Sequence, residues 1–300
     1  MNNLNKILKL SNKKSELLHN EEFFFVDLKS KARLRGKKDG KESGIFLSKF
    51  KENSCLWESE FDGLDRFSEV MVCPVSTLKN MVNFCSKDET RWVLGGILIQ
   101  DEKMCATDGS RILVSKEGPD KRESILFPSV IMKEILSLID KKIEVINILY
   151  HRGERKTKFY IKLGNIEIIG ECISGEYPNY RLLFDSKIDR KVDLKITGKL
   201  LEKYKEINKI YGKKFKKYFH INENIQEIKV DDNEGKLVFS EKFSDLIEVE
   251  EGCSVNTKLD LELLKDFLTI DFYRSSYEKE YPSIRFESEN YKAILMGMRG

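Results

Sequence analysis

Residues 91–112 have the sequence RWVLGGILIQDEKMCATDGSRI. Two apolar runs in it, residues 92–100 and 103–107, flank Asp101-Glu102, and this pattern predicts two strands joined by a tight turn. Thr107-Asp108-Gly109 follows the second run. An Asp-Gly pair after a strand is typical of another turn, and an isolated carboxylate site is the alternative. Because residues 75–85 have helical periodicity, the stretch predicts a helix followed by an antiparallel sheet.

The same order, a short amphipathic helix followed by several short strands, recurs along the chain. The helix starts at residues 4–10 (LNKILKL) and 132–138 (MKEILSL) resemble each other, and residues 259–264 form a looser third copy. A further helix carries an apolar stripe of Leu200, Tyr204, Ile207 and Tyr211. Strands are predicted at residues 23–28, 45–50, 54–61, 143–150, 157–163, 166–173, 219–221, 225–230 and 236–239. This arrangement, which lacks β-α-β alternation, predicts an α+β fold with helices on one face of antiparallel sheets.

The composition is that of a globular chain of about two domains. Its 300 residues include 53 Lys and Arg against 50 Asp and Glu, so the net charge of +3 argues against a general polycation. Charged residues nevertheless make up 34% of the chain, which leaves room for local segregation. No stretch approaches the roughly 18 consecutive apolar residues of a membrane-spanning helix, and the N-terminus lacks an apolar signal core. The sequence therefore predicts a cytoplasmic protein without membrane contact.

Positive charge is concentrated in two stretches. Residues 195–217, interpreted as one helix, contain nine lysines and two glutamates, a net charge of +7. Lys195, Lys199 and Lys203 recur every four residues, which would place a basic face beside the apolar stripe. Such a face suits a phosphate backbone, but a solvated surface helix is the equally serious alternative.

The second stretch, residues 29–41, has a net charge of +6 from seven basic residues and Asp39. Its first four basic residues alternate with other residues, so they would share one strand face, either for phosphate contact or to protect a sheet edge. Neither stretch carries residues arranged to recognise bases. Any nucleic-acid contact is therefore predicted to be independent of base sequence.

The common catalytic and metal-binding motifs are missing from the sequence. It has no GxxxxGK[ST], GxGxxG, HExxH or GxSxG motif, and its three histidines lie far apart. The six cysteines form no CxxC pair and are interpreted as buried thiols. No cofactor or metal is predicted, and a small-molecule enzyme would need a polar cavity that the sequence does not reveal.

Four segments resemble the bacterial DNA polymerase III beta subunit family, the sliding clamps. Residues 91–98 with 105–112 look like the family's middle domain, with Ser110 in place of the usual His of its ATDGHR turn. Residues 125–128 (ILFP) precede a Leu-rich helix, and residues 174–180 (SGEYPNY) are similar to the family's GEYPDY segment. Residues 291–300 (YKAILMGMRG) resemble the tail that normally ends in Met-Pro-Met-Arg-Leu. Gly297 stands where Pro is usual and Gly300 where Leu is usual. These changes are expected to loosen the peptide-binding groove that the family forms there or to alter its peptide preference.

The resemblance implies the DNA clamp fold, in which repeated domains place antiparallel sheets outside and helices along an inner face. It implies a reduced first domain at residues 1–66, a middle domain at 67–185 and a C-terminal domain at 186–300. Only 66 residues precede the middle domain, and they look like the second half of a first domain. Half of each ring interface would then be altered.

The implied function in DNA replication is that of a processivity factor that encircles double-stranded DNA. DNA polymerase and the clamp loader would dock through short linear peptides, and the protein would be nucleoid-associated. A ring-shaped homo-oligomer is expected, with a dimer favoured and a trimer possible. The alternative is a clamp-like protein that binds replication peptides without closing a ring, as a decoy or regulator.

The resemblance also implies two sets of site residues. The peptide pocket would consist of Leu94, Thr107, Gly109, Arg111, Ile112, Pro178, Leu183, Leu295, Met296, Met298 and Arg299. An ordinary core role for Leu295, Met296 and Met298 is the alternative. The DNA-facing residues would be Lys79, Arg91, Trp92, Lys195, Lys199, Lys203, Lys209 and Lys213. A core position at the start of a strand is the alternative for Trp92.

Overall fold

The structure is a computed structural model that describes residues 24–27, 33–38, 41–46, 69–119, 124–139, 142–153, 157–163, 166–185, 191–223, 225–278 and 282–298. The chain divides into two compact units. The first contains the residues up to Val82 together with Asp88–Glu102 and Gly118–Tyr177, and the second contains Asn83–Lys87, Lys103–Glu117 and Pro178–Gly300. The domain boundaries near residues 66 and 185 remain predictions. The predicted helix at residues 4–10 and the predicted strand at 54–61 lie outside the described residues.

The described strands and helices are numbered in chain order. The strands are β1 (Phe24–Asp27), β2 (Arg33–Lys38), β3 (Lys41–Phe46), β4 (Glu69–Pro74), β5 (Gly96–Gln100), β6 (Lys103–Thr107), β7 (Arg111–Ser115), β8 (Ile125–Pro128), β9 (Val145–Arg152), β10 (Thr157–Leu163), β11 (Ile166–Glu171), β12 (Lys191–Ile196), β13 (Lys216–Glu223), β14 (Ile225–Asp231), β15 (Leu237–Phe243), β16 (Ile247–Val249), β17 (Val255–Asp260), β18 (Arg274–Glu278), β19 (Ser283–Glu287) and β20 (Tyr291–Met296). The α-helices are α1 (Val75–Phe84), α2 (Ser129–Leu138), α3 (Arg181–Asp185), α4 (Gly198–Tyr211) and α5 (Leu261–Phe267), and a 3-10 helix covers Glu89–Gly95.

In the first unit, seven strands form a sheet in the order β3-β2-β1-β11-β10-β9-β4. The pairs are antiparallel except β1 with β11. Along β9, the side chains of Ile146, Ile148 and Tyr150 are buried while the intervening residues are more exposed, as expected for a sheet with one covered face. Helix α2 buries Ile131, Met132 and Ile135 at helical spacing. This confirms the helix predicted at residues 132–138.

The prediction of one long strand over residues 92–100 was wrong at its N-terminal half. Residues 89–95 form the 3-10 helix, and β5 begins at Gly96. Asp88 starts the helix by accepting a hydrogen bond from the backbone N–H of Thr90 at 3.0 Å. The strand was predicted because Trp92 and Val93 are aromatic and β-branched residues, which favour strands. Here the capping hydrogen bond of Asp88 favours the 3-10 helix instead. The turn predicted at Asp101-Glu102 is confirmed, with both residues at positive φ.

In the second unit, strands follow the order β16-β12-β18-β19-β20-β7-β6, and a separate sheet has the order β15-β14-β13-β17. All described pairs in this unit are antiparallel. Helix α4 buries Leu200, Tyr204 and Ile207, which confirms most of the predicted apolar stripe. Helix α5 buries Leu261, Leu264 and Phe267. The α+β organisation predicted from the sequence is therefore present in both units.

Two predicted helix boundaries were wrong in this unit. The lysine-rich stretch 195–217 is not one helix, because α4 covers only Gly198–Tyr211 and contains four of the nine lysines. Lys195 lies on β12, and Gly212, at φ +66°, ends the helix with its N–H bonded to the carbonyl of Asn208. Near residue 259, β17 continues to Asp260, whose carboxylate caps α5 by accepting from the N–H of Glu262 at 2.7 Å.

Four of the cysteines are buried as predicted, namely Cys73, Cys85, Cys105 and Cys172, whereas Cys253 is only partly buried and Cys55 lies outside the described residues. Burial raises the pKa of the Cys73 thiol to about 12, and burial likewise raises the pKa of Cys172 to about 12. These thiols therefore stay protonated at neutral pH. Among the residues that the structure describes, no helix is long and apolar enough to cross a membrane.

Candidate functional site

The turn between β6 and β7 is held by its own side chains. Asp108 accepts from the backbone N–H groups of Ser110 at 2.9 Å and Arg111 at 3.1 Å. The Thr107 hydroxyl donates to the carbonyl of Arg111 at 2.6 Å and accepts from the N–H of Gly109 at 3.1 Å. Gly109 sits at φ +93°, a conformation that other residues rarely adopt. The turn prediction is confirmed, and Asp108 has a structural role in it.

Arg111 fixes this turn to two other segments of the second unit. Its Nε donates to Asp108 at 2.9 Å, and its Nη1 donates to Asp266 at 2.6 Å and to the carbonyl of Leu263 at 2.8 Å. Its Nη2 donates to the carbonyl of Asn83 at 2.7 Å, and its guanidinium lies 4.7 Å from the centre of the Phe84 ring. Because the charge is almost wholly enclosed and matched by two carboxylates, Arg111 serves as a rigid anchor.

A cavity of about 340 Å³ opens beside this turn. Apolar atoms form most of its wall, and Met296, Leu182 and Leu183 are exposed around it. Six of the predicted pocket residues line the cavity, namely Thr107, Gly109, Arg111, Ile112, Leu183 and Met296. The structure adds Ser110, Leu182, Glu278, Ser283, Arg285 and Ile294. An exposed apolar concavity rimmed by polar groups is typical of a binding site for an apolar side chain.

Ile294 lines the cavity, whereas the predicted pocket residue Leu295 does not. Ile294 and Met296 lie two residues apart on β20 and face the cavity, whereas Leu295 between them is completely buried on the opposite face. The core role kept open for Leu295 is therefore the one observed. Strand alternation in the YKAILM sequence could have identified Ile294, because Met296 was already predicted to face the pocket.

The chain after β20 is held firmly at Gly297. Its N–H donates to the carbonyl of Pro282 at 2.6 Å, and the N–H of Met298 donates to the backbone carbonyl of Lys258 at 2.7 Å. A Cβ at position 297 would lie 2.5 Å from Oγ1 of Thr257 and 2.7 Å from the Pro282 oxygen. The backbone at Gly297 is therefore held in place and packed too closely for a Cβ without a local shift, and the expected effect of this glycine on the groove and its peptide preference stays a prediction.

The remaining predicted pocket residues are not gathered around the cavity. Pro178 and Met298 are exposed in the second unit but do not line it. Leu94 lies in the 3-10 helix of the first unit. Arg299 lies outside the described residues. Glu278 and Arg285, which sequence reasoning missed, carried no signal because they lie outside the segments that resemble the clamp family.

The lysines predicted to face DNA in the second unit fall into two groups. Lys195 pairs with Glu248 at 3.2 Å, Lys199 with Asp245, and Lys203 with Glu206 at 2.8 Å. Hydrogen bonds to these carboxylates raise the pKa values of Lys199 and Lys203. Lys209 and Lys213 are exposed and form no ion pair within the described part of the chain. The net charge of α4 itself is +2, from four lysines and two glutamates, so its basic face is weaker than the +7 stretch suggested.

A buried lysine holds the end of α4 in place. The Nζ of Lys217, on β13, donates to the carbonyl of Gly212 at 2.5 Å and to Glu262 at 3.1 Å. Glu262 also accepts from Tyr204 at 2.9 Å and from Lys265 at 2.7 Å. Burial opposes ionisation of Glu262, but these three donors outweigh it and lower its pKa. The network connects α4, α5 and β13.

The predicted DNA-facing residues of the first unit are also exposed. Lys79 lies on α1, and Arg91 lies 3.8 Å from the Asp88 carboxylate. The side chain of Trp92 is 54% exposed, which excludes a core position. Its ring packs over Gly175, where an added Cβ would meet it at 2.5 Å. The two cationic side chains and the Trp92 ring thus lie at the surface of this unit.

Sequence comparison finds similarity to beta sliding clamps, although no protein-family model matches the chain. The beta sliding clamp of Staphylococcus epidermidis strain RP62A is 31% identical over 131 residues, which cover 40% of this chain and 34% of that protein. The beta sliding clamp of Staphylococcus aureus strain Mu50 is 30% identical over 131 residues, with the same coverage. The chain therefore spans about a third of the length of the curated relatives it matches.

Structural comparison also finds sliding clamps, and these matches cover most of the chain. The DNA polymerase III subunit beta from Borrelia burgdorferi, solved with a natural product, has a TM-score of 0.60 at 16% identity and covers 90% of this chain and 74% of its own. The sliding clamp from Bacillus subtilis has a TM-score of 0.58 at 17% identity, with 92% and 74% covered. The sliding clamp from Pseudomonas aeruginosa, bound to griselimycin, has a TM-score of 0.56 at 16% identity, with 89% and 74% covered. The predicted DNA clamp fold is confirmed.

Proposed function

We propose that this chain, which has the fold of the bacterial sliding clamps, is itself a sliding clamp that encircles duplex DNA and tethers a replicative polymerase. The observation that carries the proposal is the apolar cavity beside the Thr107–Arg111 turn, in a chain whose residues 105–112 and 291–298 resemble the clamp family. A tether needs a docking point for partners and a way to stay on DNA. The cavity supplies the first, and ring closure would supply the second.

The cavity suits short peptides from DNA polymerase and the clamp loader. It can enclose one or two apolar side chains, and its rim is made by Leu182, Leu183 and Met296. Leucine and methionine repack around different ligands, which lets one pocket serve several partners. Arg111 keeps the turn rigid beneath it, so that binding loses little conformational freedom. Of the other predicted pocket residues, Leu94, Pro178, Met298 and Arg299 stay predictions.

The surface lysines support weak, sequence-independent contact with phosphates. Lys209 and Lys213 present exposed ammonium groups, whereas Lys195, Lys199 and Lys203 would exchange an exposed carboxylate for a phosphate. Exposed ion pairs contribute at most about 1 kcal/mol, so such an exchange costs little. In the first unit, Lys79 and Arg91 would contribute charge in the same way, and Trp92 would contribute its exposed ring. Contacts of this strength allow sliding and depend on salt.

The proposed clamp acts as a tether and performs no reaction, and it would work in the cytoplasm on the nucleoid. Its layout would be a reduced domain at residues 1–66 and full domains at 67–185 and 186–300. A homo-oligomer is needed to complete a ring, with a dimer favoured and a trimer as the other closed arrangement. The competing function is a decoy or regulator that binds the same peptides without closing.

The experiment tests topological retention on DNA. The full chain, a bacterial clamp loader and ATP are incubated with nicked circular plasmid, and bound protein is separated by gel filtration in moderate salt. We expect retention on the circle and its loss when a restriction enzyme linearises the plasmid. Retention that survives linearisation would argue against encirclement. Peptide binding without any retention on circles would support the decoy or regulator instead.

A further inference from the structure

A second cavity, of about 160 Å³, lies beside the apolar one on the same face of the second unit's sheet. Arg285 lines both cavities, so they share a wall. Strand alternation explains the arrangement, because Ser283, Arg285 and Glu287 follow one another along one face of β19. On β20, Ile294 and Met296 line the apolar cavity and Lys292 lines the second.

Helix α3 contributes to both cavities. Its Leu182 and Leu183 line the apolar cavity, and the next residue, Phe184, lines the second. Both leucines are exposed although they are large and apolar. A ligand that covered them would therefore extend naturally from one cavity to the other.

The second cavity carries positive charge that the described residues do not neutralise. Asp193 pairs with Arg274 at 3.1 Å, Glu278 with Arg285 at 3.2 Å, and Glu287 with Lys116 at 3.2 Å. Lys292 stands opposite Glu287 in the strand register, but Lys116 already occupies that carboxylate. Within the described part of the chain, Lys292 forms no ion pair. These groups therefore leave one positive charge in excess, at an exposed lysine in the wall.

We propose that the second cavity binds a carboxylate side chain of the same peptide whose apolar side chain fills the first. The proposal rests on peptide docking as part of the proposed function and names the chemistry of the partner. Lys292 provides the charge, and Arg274 and Arg285, each paired with a carboxylate, line the cavity beside it. Residues two apart on an extended strand are separated by about 7 Å, which is also the spacing of Lys292 and Ile294 on β20. The fitting peptide therefore carries Asp or Glu two positions from a large apolar residue.

The experiment measures peptide binding by fluorescence anisotropy with the full chain. One labelled peptide carries Leu and Asp two positions apart, and its partner differs only by Asn in place of Asp. We expect the Asp peptide to bind about two to five times more tightly, as for a single exposed ion pair, and the difference to shrink at high salt. Lys292→Gln removes the difference. Lys133→Gln, the same change on an exposed lysine of α2 in the first unit, preserves it.

The outcomes separate this inference from peptide docking itself. If both peptides bind the unaltered chain with equal affinity, the acidic preference is overturned while docking stands. If neither peptide binds, docking fails and the inference fails with it. Should Lys292→Gln not fold, as judged by circular dichroism, Arg274→Gln tests the same cavity. It is expected to reduce the ratio of the two peptide affinities at least twofold. A preference that a folded Lys292→Gln variant retains, or that Arg274→Gln leaves undiminished, overturns the assignment to this cavity.

Discussion

At the residue scale, two positions that the family resemblance singles out have structural roles. Arg111 lines the cavity as predicted, and its guanidinium is also bound by Asp108, Asp266 and two backbone carbonyls. Gly297 departs from the proline usual in the clamp family. The departure fits this chain, because the N–H that proline lacks is bonded to Pro282.

Gly297→Ala tests this constraint. The new methyl group would meet the Pro282 oxygen, a backbone atom, and the buried Thr257. We expect a loss of about 1–3 kcal/mol in the free energy of unfolding, measured by urea denaturation. Gly198→Ala is the matched control, because nothing lies within 4 Å of a Cβ there and alanine favours the helix. Equal stability of the two variants would contradict the packing argument.

At the element scale, α4 is shorter and less basic than its sequence suggests. Gly212 ends the helix because it adopts a positive φ, and the chain then turns into β13. The five other lysines of the stretch leave the helix, and one of them, Lys217, becomes a buried tie to Gly212 and Glu262. Charge counting could not separate these roles, because a buried lysine and a surface lysine look alike in sequence.

Lys217→Met should therefore weaken the fold around α4. The substitution keeps most of the length of the side chain but leaves the Gly212 carbonyl and one oxygen of Glu262 without the lysine donor. We expect a loss of about 2–3 kcal/mol in the free energy of unfolding. The control is Lys216→Met at the exposed neighbouring position, which should change stability by less than about 0.5 kcal/mol. Comparable losses in both variants, measured by far-ultraviolet circular dichroism during guanidinium denaturation, would refute the buried tie.

At the scale of the whole molecule, one sheet of the second unit has an open edge. β15 ends the order β15-β14-β13-β17 and pairs only with β14 among the described strands. Leu237 and Val238 on it are exposed. An open, apolar edge strand invites pairing with another chain, so we expect β15 to take part in oligomer formation.

Light scattering on the full chain tests this expectation. We expect a molar mass of two chains, or three for the other closed arrangement. The double substitution Leu237→Lys and Val238→Lys should shift the mass towards one chain, since lysine on an edge discourages pairing. Val130→Lys, an equally exposed apolar position on α2, should leave the oligomer intact. A single-chain mass for the unaltered protein at micromolar concentration would rule out the ring.

The sequence by itself determined the α+β class, most of the helices and strands, the turn at residues 107–111 and half of the predicted pocket. These features depend on local periodicity, turn chemistry and a motif that is continuous along the chain. The tertiary structure alone decided that Glu278, Arg285 and Ile294 join the cavity and that Lys217 is buried. Those outcomes depend on which strands become neighbours and which face is covered. Such long-range pairing, with residues 111 and 294 brought onto adjacent strands, leaves no local trace in the sequence.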